Sequence, residues 1–163
     1  MIKIVNINYK GCLVNKLTQD HFYGISSPQM IIYKSRDAQH SCKLIIFKSG
    51  KSRIMGCKKP LPSPVRCFPT IPIIAYGIQS ITASLDIGRS LNLLNLTYRL
   101  PATTFVFEAE LFPALRLTKQ FLPHCVNVFS SGKVMILGIR SLANVTRICH
   151  RVQNYINMMN ETH

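Results

Sequence analysis

The segment IIFKSGKSRIMGCK, beginning at Ile45, returns as NVFSSGKVMILGIR, beginning at Asn127. One pattern, apolar-Phe-x-Ser-Gly-Lys-x-x-x-x-Gly-x-basic, therefore occurs twice. Phe47 matches Phe129, Gly50 matches Gly132, Gly56 matches Gly138 and Lys58 matches Arg140, all at the offset 129 − 47 = 82. An internal duplication obliges both copies to build the same local structure. Two copies are too few to bury a solenoid core, which leaves a domain of approximate two-fold symmetry.

Each copy reads as a β-hairpin: an alternating apolar strand ends in Ser-Gly-Lys and a second apolar strand follows at once. Glycine supplies the positive φ that a tight hairpin turn needs. In the second strand of copy two, alternation puts Val134 and Ile136 on one face and Met135 and Leu137 on the other. Both faces are apolar, so this strand by itself is most simply placed inside a core.

A chain of 163 residues that is 47% hydrophobic and 16% charged can bury a full core and is no disordered polyelectrolyte. Its length favours one domain spanning 1–163, with repeat one at about 1–59, a crossing at 60–72 and repeat two at about 73–160. Twenty Lys and Arg stand against six Asp and Glu, a formal charge of +14 spread without a long basic run. Such a balance makes nucleic acid the first partner to consider. Lys, Arg, Asn or Pro interrupts every apolar run before it reaches membrane-spanning length, so no membrane partner is expected. The amino-terminal MIKIVNINYKGC lacks the long apolar stretch of a secretory signal, and an intracellular protein is expected. Cys12, Cys42, Cys57, Cys67, Cys125 and Cys149 show neither a C-x-x-C pair nor zinc-ribbon spacing. They read as reduced core thiols. The five histidines lack ligand spacing as well, so neither a metal nor a cofactor is expected. With six acidic residues, no phosphate-binding loop and no Ser/His/Asp pattern, no enzyme activity is called for.

Strands are expected near Lys3–Tyr9, Ile31–Tyr33, Lys43–Lys48, Ile78–Leu85, Thr103–Phe107, Leu115–Lys119 and Val126–Ser130, beside the two hairpin strands. Short helices are expected from Cys12 to about His21 and from Ser90 to Leu100. The stretch KPLPSPVRCFPTIP, from Lys59 to Pro72, holds five prolines and reads as a stiff crossing linker. From Ser141, an apt amino-terminal cap, the period becomes helical: Leu142, Val145, Ile148, Cys149, Val152, Ile156 and Met159 form one stripe. Arg147, His150 and Arg151 fall away from its centre, on a solvated face.

The stretch EAELFPALRLTKQFLPHCVNVFSSGKVMILGIRS resembles the second repeat of the TATA-box-binding protein core. Its pattern runs Glu-x-Glu-Leu-Phe-Pro-Gly-Leu, then a strand ending in Phe, then Ser-Gly-Lys and Thr-Gly-Ala-Lys. Upstream, YGIQSITASLDIGRSLNLLNL is similar to that repeat's opening strand and helix. The similarity covers nearly all of copy two and the hairpin of copy one.

The resemblance implies an α+β saddle: two pseudo-symmetric repeats forming one curved antiparallel sheet, with helices on the convex face and double-stranded DNA under the concave one. Val134 and Ile136 would then pack under helices, and Met135 and Leu137, like Arg53 and Met55 in copy one, would form the floor of the DNA groove. In the family, apolar wedges enter between base steps and kink the duplex. Copy two keeps both wedges, Phe112 and Phe129. Copy one keeps Phe47, and the same seventeen-residue spacing leads back to Met30. Ser49, Lys51 and Lys58, with Ser131, Lys133 and Arg140, match the family's phosphate contacts, and Arg36 matches a further basic position. The family's polar base readers fall at Ser80, Met55 and Leu137, with Thr82 beside them. In the first strand, Lys3 takes the Asn position in one register and Asn6 in another. Glu108, Glu110 and Leu111 match the loop that docks a transcription factor IIB-like partner or the polymerase machinery.

These correspondences imply a promoter factor that binds A·T-rich DNA as a monomer, bends it without strict TATA selection, and works in a nucleus, that of a host if the source is a virus. In the family a long helix follows the first hairpin, and the proline-rich crossing replaces it here. Two other readings stand beside this one. The open apolar surface can serve a protein partner, or the fold can be reused by an RNA-binding or nucleic-acid-processing accessory.

Overall fold

The computed structural model describes residues 1–13, 30–35, 41–61, 63, 67–68, 71, 73–118 and 120–161. Main-chain contacts divide the chain into a first unit, residues 5–80, and a second unit, residues 1–4 with 81–163. The long strands β1 (Ile2–Leu13) and β5 (Ile73–Asp86) contribute residues to both. The expected helix from Cys12 to His21 lies almost wholly outside the described residues, although Cys12 and Leu13 themselves close β1.

In the first unit, β2 (Met30–Lys34), β3 (Lys43–Phe47) and β4 (Lys51–Cys57) join β1 and β5 in the order β2-β3-β4-β1-β5. The pairings β2–β3, β3–β4 and β4–β1 are antiparallel. Period-two alternation places Leu44, Ile46, Ser52 and Ile54 on the closed face with Ile7 and Tyr9, all buried. The proline-rich crossing is more than a linker, because Leu61, Cys67 and Phe68 within it are buried too. The Leu61 amide donates to the Tyr9 hydroxyl at 3.0 Å. Burial pushes the Tyr9 phenol above its ordinary pKa, partly offset by that amide.

In the second unit the order is β5-β9-β8-β7-β6, with β6 at Phe105–Val106, β7 at Ala114–Leu117, β8 at Cys125–Phe129 and β9 at Lys133–Ile139. Its closed face is made of Ile81, Ala83, Leu85, Leu115, Leu117, Val126, Val128, Val134, Ile136 and Ile139. Each large aliphatic side chain so buried stabilises the fold by about 1.5–3 kcal/mol. Two helices add to this core, α1 (Leu93–Arg99) and α2 (Val145–Glu161). Val145, Cys149, Val152, Ile156 and Met159 of α2 are buried at alternating spacings of four and three. The helix expected from Ser90 is shorter because Asn92 caps it, its side chain accepting from the Asn95 amide at 3.0 Å. The Ser141 cap is corrected as well. Ser141 opens a single 3₁₀ turn, Leu142–Asn144, without a side-chain capping bond, and α2 begins only at Val145.

The duplication is visible in the backbone. Gly50 and Gly132 have φ of 79° and 81°, and Gly56 and Gly138 have 85° and 87°. In each turn the glycine amide returns to the phenylalanine carbonyl, Gly50 to Phe47 at 2.9 Å and Gly132 to Phe129 at 3.0 Å. Every pair in the first hairpin has its counterpart: Lys43↔Met55 corresponds to Cys125↔Leu137, and Ile45↔Arg53 to Asn127↔Met135. The buried cysteines Cys42, Cys57 and Cys149 are free thiols. Among the described residues no group of His, Cys, Asp or Glu is placed to hold a metal, and no helix is long and apolar enough to cross a membrane.

Candidate nucleic-acid interface

The face of each hairpin opposite its buried side carries the residues in question. In the second unit, cross-strand pairing lines up Ser84, Met135, Asn127, Arg116 and Val106 in one row, with Leu137 beside Cys125 in the next. Met135 and Leu137 are half-buried while Val134 and Ile136 are fully buried. A strand apolar on both faces thus has one side in the core and one side open, as the saddle reading required.

At the end of this face Phe129 pairs across from Ala114 and meets Phe112 edge-on, ring centroids 6.1 Å apart. The Arg116 guanidinium lies 5.7 Å from the centre of the Phe112 ring. Phe112 is 37% exposed, at the end of a turn in which its amide and that of Leu111 both donate to the Glu108 carbonyl. Two adjoining partly exposed rings with a cation over one of them form a ready apolar projection. Glu108, Glu110 and Leu111 are all exposed on the same turn, Leu111 by 80%.

In the first unit the corresponding row is Lys10, Arg53, Ile45 and Ile32, and the next is Met55, Lys43 and Lys34. Arg53 lies 6.0 Å from the Phe47 ring centre. A groove of about 730 Å³ runs here past Lys10, Phe47, Ser49, Lys51, Arg53 and Gln79. Ser49, Lys51 and Lys58, and in the second unit Ser131, Lys133 and Arg140, are all exposed. Arg36 lies outside the described residues.

The register settles two matters that counting along the sequence left open or misplaced. Tyr9 pairs with Ile54 as Ala83 pairs with Ile136, and both strands carry their irregularity at the matching place. The opening strands are therefore related by 83 − 9 = 74 residues, which puts Asn6, rather than Lys3, in the place of Ser80 and Asn8 in that of Thr82. The Asn6 carboxamide oxygen accepts from the amide of the bulged Gly56 at 3.0 Å, and Asn8 donates to the Ser80 hydroxyl at 3.3 Å. The second matter concerns Met30. It pairs with Phe47 as Ala114 pairs with Phe129, an offset of 114 − 30 = 84, so Met30 is the counterpart of Ala114 and not of Phe112. Met30 is nonetheless 37% exposed beside Phe47. Lys10, Lys34, Lys43, Asn8, Gln79 and Arg116 were missed by motif reading, since no spacing marks them and only strand pairing brings them to the open face.

The fold is a duplicated antiparallel α+β one, with an open apolar and basic face on each hairpin and, among the described residues, two helices in the second unit. The comparisons make it specific. Residues 75–159, 85 of the 163, match the family model described as transcription factor TFIID, or TATA-binding protein, TBP. The chain belongs to this family. It is 30% identical over 129 residues to the TATA-box-binding protein of Pyrococcus abyssi, covering 69% of this chain and 65% of that one. It is 28% identical over 124 residues to TATA-box-binding protein 2 of Haloferax volcanii, covering 66% of this chain and 63% of that protein's length. The solved structure of Methanococcus jannaschii TBP superimposes with a TM-score of 0.74 over 98% of this chain and 99% of its own at 23% identity, which fixes the fold.

Proposed function

We propose that this protein is a transcription initiation factor of the TATA-binding type, which docks the open faces of its two repeats on the minor groove of double-stranded DNA and bends it. The observation that carries this reading is the pairing of Phe112 and Phe129 at one edge of an open apolar face whose hairpin ends in exposed Ser131, Lys133 and Arg140. Apolar wedges unstack base steps, and cations at the rim hold phosphates without choosing sequence. Phe112, Phe129 and Phe47 are the wedges of this proposal, with Met30 as an apolar neighbour of Phe47. Ser49, Lys51 and Lys58 and their three counterparts are the phosphate contacts, with Arg36 a further one. Met55, Met135, Leu137, Ser80, Thr82 and Asn6 make the floor. Apolar floor residues favour A·T pairs, because the exocyclic amine of guanine would meet them without a hydrogen-bond partner. The exposed Glu108–Leu111 turn offers two carboxylates and an apolar side chain to a transcription factor IIB-like protein.

The test is energy transfer between dyes at the two ends of a short A·T-rich duplex, with binding titrated in parallel over a range of salt concentrations. Binding that brings the ends together and weakens with salt is the expected result. Salt-independent binding, or binding with no shortening of the distance, would refute the minor-groove mechanism.

A further inference from the structure

The two open faces differ in one respect that neither repeat's motif discloses. Lys10 stands directly across from Arg53, and Lys34 directly across from Lys43, on the same face of the first unit. Like charges at paired positions destabilise a sheet, and no Asp or Glu occurs among the described residues of this unit to offset them. Each of the four side chains is exposed. The second unit supplies an internal control. By register, Ser84 and Met135 occupy the places of Lys10 and Arg53, and Cys125 that of Lys43. The same backbone thus carries neutral residues at these positions in the second unit, so the strand pairing does not itself call for the charges in the first.

Resting on the duplex-binding reading, we propose that Lys10 and Arg53 form a cationic base reader peculiar to the first repeat. Both sit on interior strands, β1 and β4, whereas Lys34 and Lys43 lie on the outer two. Interior placement directs their donors to the base edges on the groove floor, while the outer pair holds phosphate. In the minor groove an A·T pair offers only the acceptors A N3 and T O2, and a G·C pair adds the N2 donor of guanine. A Lys–Arg pair can satisfy acceptors on either strand, but it faces the guanine amine donor to donor. The first repeat thus selects A·T by charge and hydrogen bonding, and the second by apolar contact.

The experiment compares the wild type with the double variant Lys10→Ser/Arg53→Met, which installs the second repeat's residues. Affinity for an A·T-rich and a G·C-substituted duplex is measured across salt, with thermal stability alongside. The variant is expected to fold at least as stably as the wild type, because the repulsion is relieved. Two cations withdrawn from a groove walled by phosphates should make its log–log salt slope shallower by up to about two contacts, so that over a tenfold rise in salt the wild type loses up to about 60-fold more affinity than the variant does. Its preference for A·T over G·C should fall about fivefold or more. A shallower slope with unchanged base preference would overturn the reader, since the two cations would then touch phosphate alone. An unchanged slope would remove them from the interface altogether. If wild type fails to bind duplex at all, the function proposed above falls and this inference falls with it.

Discussion

Replacing Phe112 and Phe129 singly and together separates wedging from mere adhesion. Phe129 is half-buried over Ala114, itself only 2% exposed, so Phe129→Ala uncovers part of the core. Full removal of a buried Phe costs about 3–5 kcal/mol; for a ring half in solvent the expected loss of folding stability is about 1–2 kcal/mol. Phe112→Ala, at a loop tip, should forfeit little more than the edge-on ring contact and the Arg116 stacking, about 0.5–1.5 kcal/mol. Because the rings touch, the double variant should lose less than the sum of the singles. DNA bending should follow a different order. Unstacking a base step costs a few kcal/mol and needs an inserted side chain, so either single variant should lose most of the bend at this edge while retaining a salt-dependent affinity from Lys133 and Arg140. Urea unfolding gives the stability series, and end-to-end energy transfer on a saturated duplex gives the bend. Wild-type bending by the double variant, with stability shifted as calculated, would show that these rings are core residues and not wedges.

Three further outcomes follow from the geometry. A Cβ at Gly132 would collide with the Arg89 carbonyl, whereas one at Gly138 would lie 3.6 Å from its nearest neighbour, although both have positive φ. Gly138→Ala should therefore cost about 1–2 kcal/mol for the left-handed backbone alone, and Gly132→Ala clearly more; equal urea midpoints would contradict this. Asn6→Ala should weaken discrimination among A·T-rich sequences more than Lys3→Ala does, measured by competition between TATA and scrambled duplexes, because strand pairing makes Asn6 the counterpart of Ser80, the reading position proposed in the second repeat. Tyr9 is neutral at physiological pH and its folded pKa is raised, so its contribution to stability is complete below pH 10 and drains away as pH rises through the folded value. Tyr9→Phe should be less stable at neutral pH by about 1–2 kcal/mol, from the unpaired Leu61 amide. The variant should also lose less stability than wild type between pH 9 and 12, measured by thermal melts.

The parts of this fold that could be read along the chain are those governed by local rules. Period-two apolarity and a positive-φ glycine marked both hairpins, and the three-four spacing from Val145 to Met159 marked α2. What could not be read was the relation between segments separated by loops of unequal length. Fifteen residues separate Ala114 from Phe129 but seventeen separate Met30 from Phe47, so counting back from the phenylalanine mistook Met30 for the partner of Phe112. The first strands differ from the hairpins in offset for the same reason, which is why Asn6 and Lys3 were indistinguishable until the strands were paired. The proline run read as a stiff linker, and nothing in it announced that Leu61, Cys67 and Phe68 would be buried. The Lys10–Arg53 pair was invisible because its members are forty-three positions apart and only Arg53 lies in the repeated motif.

The matched registers of Lys43–Cys57 and Cys125–Ile139 make the two hairpins interchangeable cassettes. Their turns and bulges coincide, and the demands of the neighbouring strand diverge at two closed-face layers: Gly11 faces Ser52 and Tyr9 faces Ile54 in the first unit, where Leu85 faces Val134 and Ala83 faces Ile136 in the second. A Cβ at Gly11 would come within 2.8 Å of the Ala75 carbonyl and 2.9 Å of the Ser52 hydroxyl, so the smaller residues there are a fitted pair. A transplanted hairpin would carry its open face to the other half of the molecule at the cost of adjusting those two layers. The chemistry displayed to a ligand can thus be rewritten almost independently of the scaffold beneath it, which makes the chain a natural starting point for recombining minor-groove surfaces by grafting.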